Sequence, residues 1–151
     1  MDGQTQTSAA TGVVVDIGRE HYRTEIVAAG HAIVADEPVG VGGTNAGPGP
    51  YELLLASLGA CKAMTLRMYA DRKGWALERA IFSLRHDRRH ADDCEDCDDP
   101  KARLDHIDVE VQLVGDLDQT QRARLLEISE KCPVHRTVTG DLRFNSTLVD
   151  G

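Results

Sequence analysis

The sequence predicts an α+β fold, with antiparallel strands and helices partly segregated along the chain. Three patterns carry this expectation. Short β-rich runs separated by turn residues fill the first third, a long apolar helical stretch occupies the middle, and an alternating run near residue 110 leads into a capped helix.

Residues 1–11 are small and polar and form a flexible N-terminal segment ahead of a single domain over residues 12–151. Val13-Val14-Val15-Asp16-Ile17 reads as a strand, and Gly18-Arg19-Glu20 as a turn. Residues 23–27 and 31–34 read as two more strands with Gly30 between them, giving a three-stranded antiparallel meander. Gly40, Gly42, Gly43, Gly47 and Gly49, with Pro48 and Pro50, make a turn-rich linker. It lacks the Gly-Lys-Ser/Thr of a phosphate-binding loop. A helix starts near Tyr51, with Pro50 suited to its first turn, and runs to about Arg72, where Gly74 stops it. Leu54, Leu58, Cys61, Thr65, Met68 and Arg72 form one stripe, and other faces are apolar too. Such a helix is buried centrally or in an oligomer.

Residues 77–86 read as a strand, and residues 87–102 as a charged excursion. Ile107, Val109, Val111 and Leu113 alternate with polar residues, as in a half-buried strand. Asp118-Gln119-Thr120-Gln121 has the form of a helix cap with its capping-box partner, and that helix reaches about Lys131. Leu142, Phe144 and Leu148 suggest a final strand. The predicted order is β-β-β-α-β-β-α-β.

The net charge of −8 is a poor basis for binding nucleic acid or an anionic membrane. The central helix carries Lys62, Arg67, Asp71 and Arg72, which excludes a membrane span. The N-terminus has no basic start and no apolar run, so the expected location is the cytoplasm. Four cysteines in that compartment point to metal-binding or reactive thiols rather than structural disulfides.

Two of them carry the chemistry. Cys61 lies in Gly59-Ala60-Cys61-Lys62-Ala63-Met64-Thr65, inside the helix. A mid-helix thiol needs a cation from elsewhere in the fold to become a nucleophilic thiolate, and Arg19 and Arg23 are candidates. A small buried hydrophobe in a core helix satisfies the same local pattern. Cys132 lies in Glu130-Lys131-Cys132-Pro133-Val134-His135-Arg136-Thr137. Pro133 favours the first position of a helix, which makes Cys132 its cap, with Lys131 and Arg136 adding positive charge.

These motifs, with Gly49-Pro50-Tyr51-Glu52-Leu53-Leu54-Leu55-Ala56, resemble the OsmC family of osmotically inducible and organic hydroperoxide resistance proteins. The likeness spans roughly residues 12–149 and is closest to a branch reading Leu-Gly-Ala-Cys-x-Ala-Met-Thr and Cys-Pro-Val-His-Arg-Thr. It implies antiparallel sheets wrapped around central helices in an intertwined homodimer. It also implies a cytoplasmic thiol peroxidase of the stress response, acting on organic hydroperoxides without a cofactor. By that likeness Cys61 attacks the peroxide, Cys132 resolves the sulfenic acid to a disulfide, and a dithiol or lipoylated protein is the reductant. Arg19 falls where the family's activating arginine does. The family's peroxidases usually carry Glu directly after the Pro at the helix start; here Tyr51 holds that place and Glu52 follows. One residue turns a side chain by about 100° around a helix, so Glu52 is the candidate carboxylate only if that rotation is accommodated.

A second chemistry is legible in His86-x3-His90-x3-Cys94-x2-Cys97, four ligands at spacing suited to zinc. The surrounding Asp92, Asp93, Glu95, Asp96, Asp98 and Asp99 attract a cation and raise thiol pKa, so Cys94 and Cys97 are poor nucleophiles. A solvated acidic loop fits the same residues. Two alternatives to a peroxidase follow: a metal-binding or redox-sensing dimer using that loop, and a binder of small ligands at the dimer interface.

Overall fold

The computed structural model describes residues 11–90 and 103–151. The order is β1 (Val13–Ile17), β2 (Thr24–Ala28), β3 (His31–Ala35), α1 (Pro50–Lys73), β4 (Ala76–His90), β5 (Arg103–Asp116), α2 (Gln119–Ser129) and α3 (Pro133–Thr139), with a 3-10 turn at Val39–Val41. The chain divides into two units, Met1–Leu53 and Leu54–Gly151.

In the first unit β1, β2 and β3 form the expected antiparallel meander, in which Val15 pairs with Ile26 and Ile26 with Ile33. Ala29 and Gly30 both take positive φ, +51° and +81°, as a two-residue hairpin turn requires. The stretch after β3 is not a slack linker. Asp36, only 2% exposed, organises it. Its Oδ2 accepts from Thr44 N (3.2 Å), Thr44 Oγ1 (2.7 Å) and Ala46 N (3.1 Å), and its Oδ1 from Glu37 N (2.8 Å). The loop wraps so tightly that a Cβ on Gly47 would sit 2.0 Å from the Val34 carbonyl oxygen.

α1 begins at Pro50, in the last residues of the first unit, and runs through the second to end in a Schellman motif. Gly74 takes φ +67°, its N–H donates to Asp71 O at 3.2 Å, and Trp75 N donates to Ala70 O at 2.9 Å. The buried stripe differs from the predicted one. It runs through Leu58, Lys62, Leu66 and Ala70, every fourth residue, while Met64 and Met68 are exposed. Leu66 and Ala70 join Leu77, Leu117, Leu125 and Ile128 in the core, flanked by Phe82, Val111 and Leu113. Tyr69 and Trp75 pack edge to face against it, ring centroids 5.5 Å apart. Gly59 lets the sheet come close, since a Cβ there would meet Leu84 Cδ1 at 2.9 Å.

β4 and β5 pair antiparallel from Ala76↔Asp116 to His90↔Arg103, with a bulge between Leu77 and Arg79. Both outrun their predicted bounds, and part of the expected charged excursion is strand. Cross-strand charges explain it. Arg88 pairs with Asp105 at 3.3 Å, Arg85 with Asp108 at 3.7 Å, and Arg89 with Asp108. An ion-paired strand has no apolar alternation to read. Asp118 caps α2 through the predicted capping box: its side chain accepts from Gln121 N (2.8 Å), and Gln121 Oε1 accepts from Asp118 N (2.9 Å). Arg122 binds the sheet end to this helix, donating to the carbonyls of Leu113, Gly115 and Leu117.

The predicted final strand does not form. Leu142, Phe144 and Leu148 lie in a stretch with no regular structure and are 45%, 87% and 97% exposed. Alternation alone is insufficient, because a strand needs a paired neighbour. Among the described residues, the strands pair β1-β2-β3 and β4-β5 only. The order is therefore β-β-β-α-β-β-α-α. Among the described residues no helix is long and apolar enough to cross a membrane.

Two outcomes follow. Truncating the fully buried Leu125 to Ala is expected to cost about 2–5 kcal/mol by denaturant titration. Hydrogen bonds, first of all the one from Thr44, hold the Asp36 carboxyl below its ordinary 3.8, at about 2. A depressed folded pKa contributes stability that is complete above 3.8 and is lost as pH falls toward about 2. Asp36→Asn should melt lower than the parent near neutral pH and lose less across that acid window. Parallel melting curves for the two proteins would refute the role given to Asp36.

Candidate functional site

The second unit brings both motif cysteines together. Cys61 projects from α1 beside the buried stripe and is half-buried, whereas Cys132 is completely buried; both are free thiols. Cys132 is the N-cap of α3, as its Pro133 predicts, and its Sγ accepts from His135 N at 3.4 Å. Burial pushes the Cys132 thiol up. The His135 N–H works against this, the neighbouring Cys61 side chain adds to the rise, and the Lys62 ammonium pulls it down.

Lys62 is the group that sequence reasoning missed. Its side chain turns inward on the face of Leu58 and Leu66 and is 4% exposed. Nζ donates to the Ser129 carbonyl oxygen at 3.2 Å and contacts His135 Nδ1 at 3.0 Å. An ammonium has only donors, so this contact is a hydrogen bond when Nδ1 is the unprotonated ring nitrogen. Lys62, Ser129 and His135 line a cavity of about 250 Å³, with Val111, Asp108 and Glu130 also on its wall. The cations expected from the sequence, Lys131 and Arg136, are exposed. One signal was available: Lys62 stands four residues from both Leu58 and Leu66, within an apolar stretch.

The other predicted residues lie as follows. Arg19 is exposed in the turn between β1 and β2, on a cavity of about 400 Å³ shared with Asp16, Glu20, Arg23 and Glu25. Arg23 pairs with Glu25 at 3.7 Å. Glu52, in the first turn of α1, folds over Gly49, where an added Cβ would meet its Oε2 at 2.8 Å. His86 Nε2 contacts Asp105 Oδ1 at 2.8 Å. Cys94, Cys97 and the side chain of His90 lie outside the described residues. Among the described residues no group of three or more His, Cys, Asp or Glu is arranged to hold a metal.

A buried thiol beside a half-buried one gives the pair unequal reactivity. In the reduced protein, Cys61 is expected to alkylate with iodoacetamide at least roughly tenfold faster than Cys132, read by peptide mass mapping. Equal rates would contradict the burial difference.

The family model for OsmC-like protein matches residues 43–147. No curated protein matches the chain. Among solved structures, an OsmC-like protein from Mycoplasma pneumoniae aligns with a TM-score of 0.69 at 18% identity, covering 88% of this chain and 89% of that one. An organic hydroperoxide resistance protein OsmC from Legionella pneumophila aligns with a TM-score of 0.64 at 17% identity, covering 89% and 93%. The organic hydroperoxide resistance protein OhrB of Bacillus subtilis aligns with a TM-score of 0.59 at 18% identity, covering 87% and 92%. At these identities the likeness is one of fold.

Proposed function

The chain belongs to the OsmC family, and from that premise we propose that it is a thiol peroxidase reducing organic hydroperoxides in oxidative-stress defence. The observation that carries this reading is a half-buried and a buried free thiol, neighbours at the family's two cysteine motifs. The names of the Legionella and Bacillus proteins, organic hydroperoxide resistance proteins, support the substrate class.

The Cys61 thiolate attacks the terminal oxygen of ROOH. The O–O bond breaks, ROH leaves, and Cys61 becomes a sulfenic acid. The Cys132 thiolate then attacks that sulfur, expelling water and leaving a disulfide. A dithiol, free or carried on a lipoylated protein, returns both thiols. By the family likeness Arg19 is the activating arginine, and Glu52, one residue past the family's glutamate position, is the candidate for its carboxylate. We further propose a cytoplasmic homodimer. Exposed apolar side chains on α1, Met64 at 66% and Met68 at 63%, favour a covered surface there.

The test is hydroperoxide consumption by the reduced protein with dihydrolipoamide. Cys61→Ser is expected to fall to the rate of the buffer. Cys132→Ser should consume one equivalent and stop. Steady turnover by Cys61→Ser would sink the proposal.

A further inference from the structure

Lys62 poses an electrostatic problem. A lysine taken out of water is costly unless its charge is met. Its two hydrogen-bond partners, the Ser129 carbonyl and His135 Nδ1, carry no negative charge. No ion pair among the described residues includes it. Asp108 lines the same cavity but is engaged by Arg89 and Arg85. Glu130, also on that wall, is exposed, as are Lys131 and Arg136. Besides Lys62, the ionisable side chain that acts on Cys132 among the described residues is Cys61, itself a thiol. An ammonium has three N–H donors, and two have acceptors here. Among the described residues, then, no carboxylate is paired with this charge, and the Cys132 thiol is a group it acts on.

We propose that Lys62 is the fixed counter-charge for the Cys132 thiolate, a positioning residue that sets the pH at which the second thiol becomes a nucleophile. The neighbours hold it for that task. Ser129 ends α2, His135 lies in α3, and the His135 main-chain N–H is itself on the Cys132 sulfur. The lysine and the sulfur therefore share one anchor. In catalysis Cys132 S–H gives up its proton, and the thiolate attacks the sulfur of the Cys61 sulfenic acid. The S–O bond breaks as the S–S bond forms, and the departing hydroxide takes a proton to leave as water. As a statement about catalysis this rests on the peroxidase reading; as a statement about Cys132 it does not.

The experiment separates the two. In the full chain with Cys61→Ser, Cys94→Ser and Cys97→Ser, Cys132 is the sole thiol, and its ionisation is followed by thiolate absorbance against pH. Lys62 is replaced by Gln and, separately, by Met, which suits a buried apolar site, so that one folded neutral variant is in hand. Each neutral variant is expected to raise the Cys132 midpoint by roughly one unit or more, and Lys62→Arg to hold it within about half a unit. A midpoint unmoved in a folded neutral variant, or raised equally by Arg, would overturn the proposal. Peroxide turnover is then measured in the same Lys62 variants with all four cysteines present. If the parent turns over no hydroperoxide, the peroxidase reading fails while the titration still decides the role of Lys62.

Discussion

One stripe on α1 governs the second unit. Leu58, Lys62, Leu66 and Ala70 are the positions that α1 buries, and the core of the unit forms around the last two. Successive residues of a helix lie about 100° apart. Turning Lys62 fully inward therefore leaves Cys61 at the margin of the buried face, where it is half-buried. The accessibility of one thiol and the concealment of the lysine are a single rotational setting of the helix. The helix end fixes that setting, because the Schellman motif at Gly74 hands the chain to Trp75 and β4 in one orientation.

The electrostatics of the site run against those of the chain. The protein carries a net charge of −8, yet the ionisable group buried beside the thiols is a cation. Of the two carboxylates on the wall of the same cavity, Glu130 is exposed and Asp108 is turned to other work, in the ion pairs that hold β4 and β5 together. The network that lengthens the hairpin thus also withholds a competing negative charge from Lys62. A buried carboxylate free to reach the ammonium would pair with it and leave less of its field for sulfur.

What was legible in the sequence was local. The capping box of Asp118 and Gln121, the cap at Cys132 before Pro133, and the stop at Gly74 each depend on residues within one or two turns. The fold class and family were legible for the same reason, since their signals are periodicity and contiguous motifs. Distant partners hid the rest. Asp36 reaches across to Thr44 and Ala46, and Lys62 to Ser129 and His135, sixty-seven and seventy-three positions away. The final strand failed in the opposite sense. Its alternation at Leu142, Phe144 and Leu148 was visible, but no pattern in a single segment names the strand that would pair with it.

The inequality of the two thiols bears on both halves of the proposed cycle. A buried thiol with a raised pKa is shielded from hydroperoxide, yet once ionised it is the stronger nucleophile, because nucleophilicity rises with basicity. That suits attack on a sulfenic acid held beside it. Reduction makes the reverse demand. An incoming dithiol reaches the more exposed sulfur, Cys61, so Cys132 must depart, and a thiol of lower pKa departs faster. Burial alone would favour the first step at the cost of the second. A fixed cation lowers the energy of the Cys132 thiolate whether it is about to attack or has just been released, so Lys62 moderates the conflict that burial creates. Excluding peroxide from the second thiol and still recycling it call for a charge inside the fold, and α1 supplies that charge one residue after the thiol it exposes.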